Sequence, residues 1–373
     1  MRRVAVALAL CCVAAAACSH SVLSSPDRDN TRPRRSAEAS PPGRTKLSVQ
    51  KYKGGLDFPV DMAWVPGTDT IFFTEKNTGK VRVLIGRHLL SLPCAELEVA
   101  AEGERGALGI ALDPRFRVNR YLYVYYTNRS PLENRVTRFI VRHNRCVNPK
   151  NIVTGLSASS AGYHNGGQLE FDRGKLFVSV GEAHDAANAQ NLASRLGKIL
   201  RYNPDGSIPQ DNPFDKPGHP NPVWSYGHRN PFGLAVRPET HQLFESENGP
   251  DCDDELNLIA RGANYGWGNG YQCQTAGVGP GPMAPLMRWT PTIVPTDLCW
   301  YSGRISSLSN SLFMGDFSQG GLHRFVLNPA GTRVVKQTVI YRDAEGIVDV
   351  SNGPGGWLYF ATPSAIDRIV SRL

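Results

Sequence analysis

The chain has 373 residues, 41% of them hydrophobic, with 41 Lys and Arg against 33 Asp and Glu, a net charge of +8. Two of those charges are Arg2 and Arg3, and three more are the basic excess of residues 18–46, so only +3 belongs to residues 47–373. That balance argues against nucleic-acid binding, which puts a basic patch on the fold itself, and suits a basic tail beside an anionic membrane surface.

The N-terminus reads as an address. Arg2 and Arg3 precede the apolar run Val4–Leu10, and Ala14-Ala15-Ala16-Ala17 leads into Cys18. The run is too short for a ~30 Å hydrocarbon core, which takes about 20 residues, so residues 1–17 are expected to be a signal peptide. A Cys directly after small residues resembles a bacterial lipobox, which makes Cys18 the expected lipidation site and the outer face of the cell membrane the expected location. Residues 18–46 are rich in Ser, Pro and Arg and bury too little apolar surface to offset their ordering entropy. They are expected to form a tether, in the style of an actinobacterial envelope lipoprotein.

From residue 47 onward a strand grammar repeats. Phe58–Trp64 precedes Thr70–Glu75 and Lys80–Leu84, and Leu108–Pro114 precedes Tyr121–Tyr126 and Arg135–Phe139. Gly167–Phe171 leads to Lys175–Val180, and Gly233–Pro238 leads to Gln242–Ser246. A looser fifth copy ends in Ser311–Asp316 and Gly321–Phe325, and a sixth runs Gly346–Val350, Gly356–Phe360 and Ala365–Ile369. Six units in 327 residues is about 55 each, close to the period of propeller blades. The expected fold is all-β, a six-bladed β-propeller of four-stranded antiparallel blades.

Of eight cysteines, Cys11, Cys12 and Cys18 lie in or next to the signal. Five remain, and an exported chain meets oxidising conditions. Cys94 with Cys146 is the first expected pair, and Cys252 with Cys273 is preferred over Cys273 with Cys299. No C-x-x-C pair suggests zinc.

Four stretches are too polar for blade interiors: Tyr163–Leu169 (YHNGGQL), Leu196–Pro209, Tyr226–Ala235 (YGHRNPFGLA) and Glu247–Trp267. In a propeller, the loops that enter the innermost strands meet at one mouth of the channel. His164, Arg229 and Asn230 lie in such loops. A neutral imidazole accepts protons near pH 7, and a guanidinium is a permanent fork for carboxylates. The backbone carbonyls of Gly249 and Pro250 suit a hard cation.

Taken in order, these motifs resemble the soluble quinoprotein glucose/sorbosone dehydrogenases across residues 47–373. The resemblance implies that the mouth binds pyrroloquinoline quinone (PQQ) and Ca²⁺ and that a sugar hydroxyl is oxidised. It implies His164 as general base, Arg229 and Asn230 as quinone contacts, and Gly249 and Pro250 as ligands of the catalytic Ca²⁺. It further implies Glu255 and the Tyr265 carbonyl as ligands of a second Ca²⁺.

The chain departs from the family pattern at three places. Glu104 stands where an amide usually meets the cofactor, with Arg105 beside it. No Lys follows Gly315-Asp316, and Gly346–Val350 lacks a pair of arginines. Arg304 and Arg342 are the candidates to replace the missing cations. The alternative expectation is therefore a catalytically degenerate propeller that binds a cell-envelope glycan or protein. A Ca²⁺-dependent lactone or ester hydrolase stands behind both.

Overall fold

The computed structural model describes residues 46–372. The signal segment, Cys18 and most of the tether lie outside those residues.

Six antiparallel sheets follow one another along the chain. Blade 1 holds Pro59–Trp64, Thr70–Glu75, Lys80–Ile85 and His88–Leu89, with Ala95–Glu96 as a short fifth strand. Blade 2 holds Ala107–Leu112, Tyr121–Asn128, Glu133–Arg142 and Arg145–Ser157. Blade 3 holds Leu169–Asp172, Lys175–Val180, Lys198–Tyr202 and Val223–Tyr226. Blade 4 holds Pro231–Arg237, Gln242–Glu247, Asp254–Ile259 and Met287–Trp289. Blade 5 holds Pro295–Tyr301, Ser311–Asp316, Gly321–Leu327 and Val334–Arg342. Blade 6 takes Asp349–Asn352, Leu358–Thr362 and Ala365–Arg372 from the C-terminus and its outer strand, Lys46–Gly54, from the other end of the described chain.

That last pairing closes the ring. Leu47 lies opposite Ser371 and Gly54 opposite Ala365 in antiparallel register. The fifth inner strand, Pro295–Tyr301, is hidden in the sequence because Thr296 and Asp297 interrupt its apolar run, yet both are buried.

The core is distributed over six apolar clusters, one at each seam between blades. Phe72 and Val83 of blade 1 meet Val124 and Phe139 of blade 2. Tyr301 and Phe313 of blade 5 meet Val350 and Phe360 of blade 6. Ile71 and Phe73 meet Tyr359 and Ile366 across the closing seam. Each such large side chain contributes roughly 1.5–3 kcal/mol by leaving water. Every seam is therefore a substantial interface, and the inner strands are held rigidly around the channel.

Two disulfides form, Cys94–Cys146 and Cys252–Cys273, and Cys299 is free and buried, as the preferred pairing expects. Among the described residues no helix is long and apolar enough to cross a membrane.

Candidate functional site

The loops into the inner strands of blades 2, 3 and 4 meet at the channel mouth. His164 opens the turn into blade 3 with φ of 56°, a left-handed conformation, and Gly166 and Gly167 continue it at 62° and 128°. A Cβ on Gly166 would lie 2.8 Å from the Gly181 nitrogen, so the close approach requires glycine there. Ala183 and His184 also have positive φ, 59° and 63°. Strained backbone gathered in this way is typical of functional sites.

His164 is only 6% exposed. Its Nδ1 lies 2.7 Å from Oε2 and 2.8 Å from Oε1 of Glu182. A carboxylate can only accept, so Nδ1 carries the proton, and in the neutral imidazole the lone pair is on Nε2. Nε2 has no protein partner and is not among the polar atoms sealed from solvent. Glu182 is fixed in turn. It accepts from the His184 N–H at 2.7 Å, and its own N–H donates to the Arg229 carbonyl at 2.9 Å. The carboxylate thus fixes the orientation of the imidazole ring. Glu182 was not among the residues singled out from sequence; its only signal was Gly181-Glu182 standing directly after the apolar strand Lys175–Val180.

Glu104 joins this group. Its Oε2 accepts from the His164 N–H at 2.7 Å and from Asn230 Nδ2 at 3.2 Å. Asn230 Oδ1 accepts from the Gly166 N–H at 3.1 Å. Asn230 thus ties three loops together, and much of its amide is engaged within the protein. Arg105 does not neutralise Glu104, because it pairs with Glu102 at 3.0 Å. Two cations act on Glu104 without forming an ion pair with it: Arg229, and Lys76 just past Thr70–Glu75, whose Nζ donates to Asn77 Oδ1 at 3.1 Å and to the Ala101 carbonyl at 3.2 Å. Burial pulls the Lys76 ammonium below its usual range, while Glu104, Asp57 and Glu102 oppose the shift. Lys76 also went unrecognised in the sequence.

Arg229 sits beside the pair. Its Nη1 donates to the Asn248 carbonyl at 2.9 Å, and its guanidinium lies 5.3 Å from the Trp267 ring centroid. Its Nε is buried with no partner. Burial lowers its pKa from the ordinary guanidinium value, against the pull of Glu182, Glu104, Glu247 and Asp254. An orphaned charged donor at the mouth fits an anionic ligand. Behind it, His228 is a scaffold group. Its Nδ1 meets Glu247 at 2.9 Å, its Nε2 meets Ser225 at 2.9 Å, and its ring stacks on Tyr265. Glu247 also accepts the Arg229 N–H.

Gly249 and Pro250 are half-buried in the loop that follows. The Gly249 N–H donates to Asp254 at 2.8 Å, and neither residue's carbonyl accepts a hydrogen bond. Two free carbonyls on a loop braced by Cys252–Cys273 and Asp254 fit a hard cation. Burial raises the Asp254 carboxyl to about 6. Glu255, opposite Glu247 in the strand register, forms an ion pair with Arg288 at 3.0 Å. Tyr265 donates its hydroxyl to the Leu258 carbonyl, and its own carbonyl accepts no hydrogen bond.

The candidate replacement cations do not reach this group. Arg304 stacks on Trp357 beyond the end of Pro295–Tyr301, at the opposite mouth, and Arg342 donates to the Gln319 carbonyl on an exposed outer strand.

A family model described as Glucose / Sorbosone dehydrogenase matches residues 56–371. The chain belongs to the glucose/sorbosone dehydrogenase family. An aldose sugar dehydrogenase of Escherichia coli is 30% identical over 346 residues, covering 87% of this chain and 92% of the relative. A Thermus thermophilus structure described as a putative glucose dehydrogenase superposes with a TM-score of 0.78 at 34% identity, covering 87% of this chain and all of that one. The PQQ-bound aldose sugar dehydrogenase of Streptomyces coelicolor gives 0.76 at 28% identity, covering 88% and 99%. Within this glucose/sorbosone dehydrogenase frame, the mouth keeps the His164–Glu182 pair, a guanidinium with an unpartnered Nε and two open carbonyls, and places Glu104 where the family pattern has a neutral amide.

Proposed function

We propose that this protein is a PQQ- and Ca²⁺-dependent dehydrogenase of aldose sugars. The observation that carries the reading is the His164–Glu182 pair, with Nε2 unpartnered, beside the unpaired Nε of Arg229. PQQ, when bound, supplies a two-electron acceptor for hydride. Arg229 and Lys76 are the cations that would hold its carboxylates, and the Gly249 and Pro250 carbonyls would hold Ca²⁺. His164 Nε2 takes the proton of the sugar hydroxyl as the C–H bond is broken. Glu182 stabilises the imidazolium that forms and keeps the ring in the tautomer that accepts at Nε2. Asn230 positions the His164 turn through Gly166 and Glu104.

Support for the second reading, a degenerate propeller that binds an envelope glycan, comes from Glu104. Its carboxylate faces the same mouth as the base and offsets the cations there. Titration of the purified protein with PQQ in the presence of Ca²⁺ separates the two. Saturable binding with dye reduction by an aldose, abolished in His164→Ala, is expected. No absorbance change at high micromolar PQQ would overturn the dehydrogenase reading and leave the glycan-binding one.

The proposal includes a lipid anchor on Cys18 that holds the propeller at the outer face of the cell membrane, with a sugar or envelope glycan as its partner. Cys18→Ala is expected to release the protein from membranes, and retention would refute the anchor.

A further inference from the structure

A second polar cluster lies deeper in the channel. Asp61 is the third residue of Pro59–Trp64, Asp297 the third of Pro295–Tyr301, and Asp349 the first of Asp349–Asn352. These are the inner strands of blades 1, 5 and 6, which are consecutive around the ring. The three residues are 3%, 3% and 0% exposed. One carboxylate oxygen from each lies within 4.8 Å of the other two.

The protein does not satisfy these groups by itself. Asp61 Oδ2 accepts from the Ile110 N–H at 2.7 Å. Both oxygens of Asp349 and Oδ1 of Asp297 are buried without a well-formed hydrogen bond, the donors nearest Asp349 being the Met62 and Val350 N–H groups. The neighbours that act on Asp61 and Asp297 are Asp349, each other, backbone N–H groups and the Gln168 side chain, with no Lys, Arg or His among them. A proton shared between Asp297 and Asp349 answers at most two of the oxygens. One divalent cation answers all three residues and cancels two of their charges.

We propose that Asp61, Asp297 and Asp349 bind a hard divalent cation, Ca²⁺, on the channel axis. The ligand set is all oxygen, which such ions prefer. Oxygens at ~2.4 Å from Ca²⁺ are at most ~4.8 Å apart, the limit these three oxygens meet. The remaining coordination falls to water, for which a cavity of about 480 Å³ lined by Asp61, Asp297 and Gln168 opens toward the mouth opposite His164. The site is distinct from the Gly249–Pro250 loop, which belongs to blade 4. Its role follows from its place. Blade 6 is the one built from both ends of the propeller chain, and the ion ties its inner strand to those of both neighbours.

The test is a count of bound calcium by elemental analysis in the purified protein and in the Asp297→Asn, Asp349→Asn double variant. The variant is expected to hold one ion fewer per chain. Its thermal midpoint should respond less to added Ca²⁺, yet lie no lower than that of the wild type in chelator, since two amides remove the mutual repulsion. Should the variant fail to fold, wild-type crystals soaked in Tb³⁺ are expected to give an anomalous peak between the three carboxylates. Equal calcium in both proteins, or no anomalous peak on the channel axis, overturns the proposal and leaves a shared proton as the neutralising species. Filling by Mg²⁺ but not Ca²⁺ overturns the choice of ion.

Discussion

Glu104→Gln is the substitution with the most to say about the mouth. Glu104 Oε2 accepts from the His164 N–H and from Asn230 Nδ2. A glutamine Oε1 in the same place accepts both, so the loops stay joined while one negative charge disappears. For a ligand carboxylate ~6 Å away at an effective dielectric near 20, that charge costs about 3 kcal/mol. Solvent at an open mouth screens part of it, and 1.4 kcal/mol is a decade in affinity. Glu104→Gln is therefore expected to tighten PQQ binding by about one to two decades, read by calorimetric titration with Ca²⁺ at fixed salt. Lys76→Met should weaken it by a comparable factor, because Lys76 is, with Arg229, one of the two cations that oppose Glu104. Unchanged or weaker binding in Glu104→Gln would mean that no anionic ligand lies beside this carboxylate, and the charge argument fails.

The remaining expectations concern catalysis and stability. Glu182→Gln should lower kcat about 10²–10⁴-fold, the range for general-base assistance, with PQQ affinity nearly unchanged; an equal loss in both would make Glu182 a binding group instead. Asp367 lies on the closing strand with its carboxyl raised to about 6, mainly by burial, against the pull of Lys51. The folded state then binds more protons than the unfolded one, whose value is about 3.9, so stability falls as pH rises from about 4 to 6. Asp367→Asn should stabilise by about 1–2 kcal/mol at pH 7 and by nothing near pH 3.5, checked by denaturant unfolding at both. Replacing Cys94 and Cys146 by Ser opens a loop of sequence separation 52 and should cost about 2–4 kcal/mol in the same assay. Phe360→Ala, at the seam of blades 5 and 6, should cost about 3–5 kcal/mol.

The repeat was legible because each blade needs two apolar inner strands and a polar turn, whichever neighbours it packs on. The inner strand of its fifth copy was not, since Asp297 breaks the alternation of Pro295–Tyr301, and that residue is buried among other carboxylates instead of among apolar groups. Closure was illegible for another reason. Lys46–Gly54 lies ahead of the first repeat, and its pairing with Ala365–Arg372 is fixed by the ring. The site divides in the same way. His164, Arg229, Asn230 and the Gly249 loop stand in long polar motifs that no blade interior would hold. Glu182 and Lys76 are single polar residues at the ends of ordinary strands, and only the mouth geometry brings them to His164 and Glu104.

That difference changes how the missing cations weigh on function. Counted along the sequence, Glu104 adds a negative charge and three family positions lose positive ones. Counted in space, Glu104 acts on both Lys76 and Arg229, and Arg105 pairs with Glu102. The mouth is then short of cations for a tricarboxylate but not hostile to one, and Arg229 keeps an unpaired donor. A weakened cofactor site with an intact base predicts an enzyme whose activity depends steeply on added PQQ. Glu182 holds His164 with both oxygens within 2.8 Å, and unlike the buried His228–Glu247 pair, whose far nitrogen meets Ser225, it leaves Nε2 without a protein partner. Dye reduction measured against PQQ concentration decides between this enzyme and a propeller without catalysis. A rate that climbs and saturates only at high PQQ supports the weakened enzyme, and a flat trace at every concentration removes the dehydrogenase.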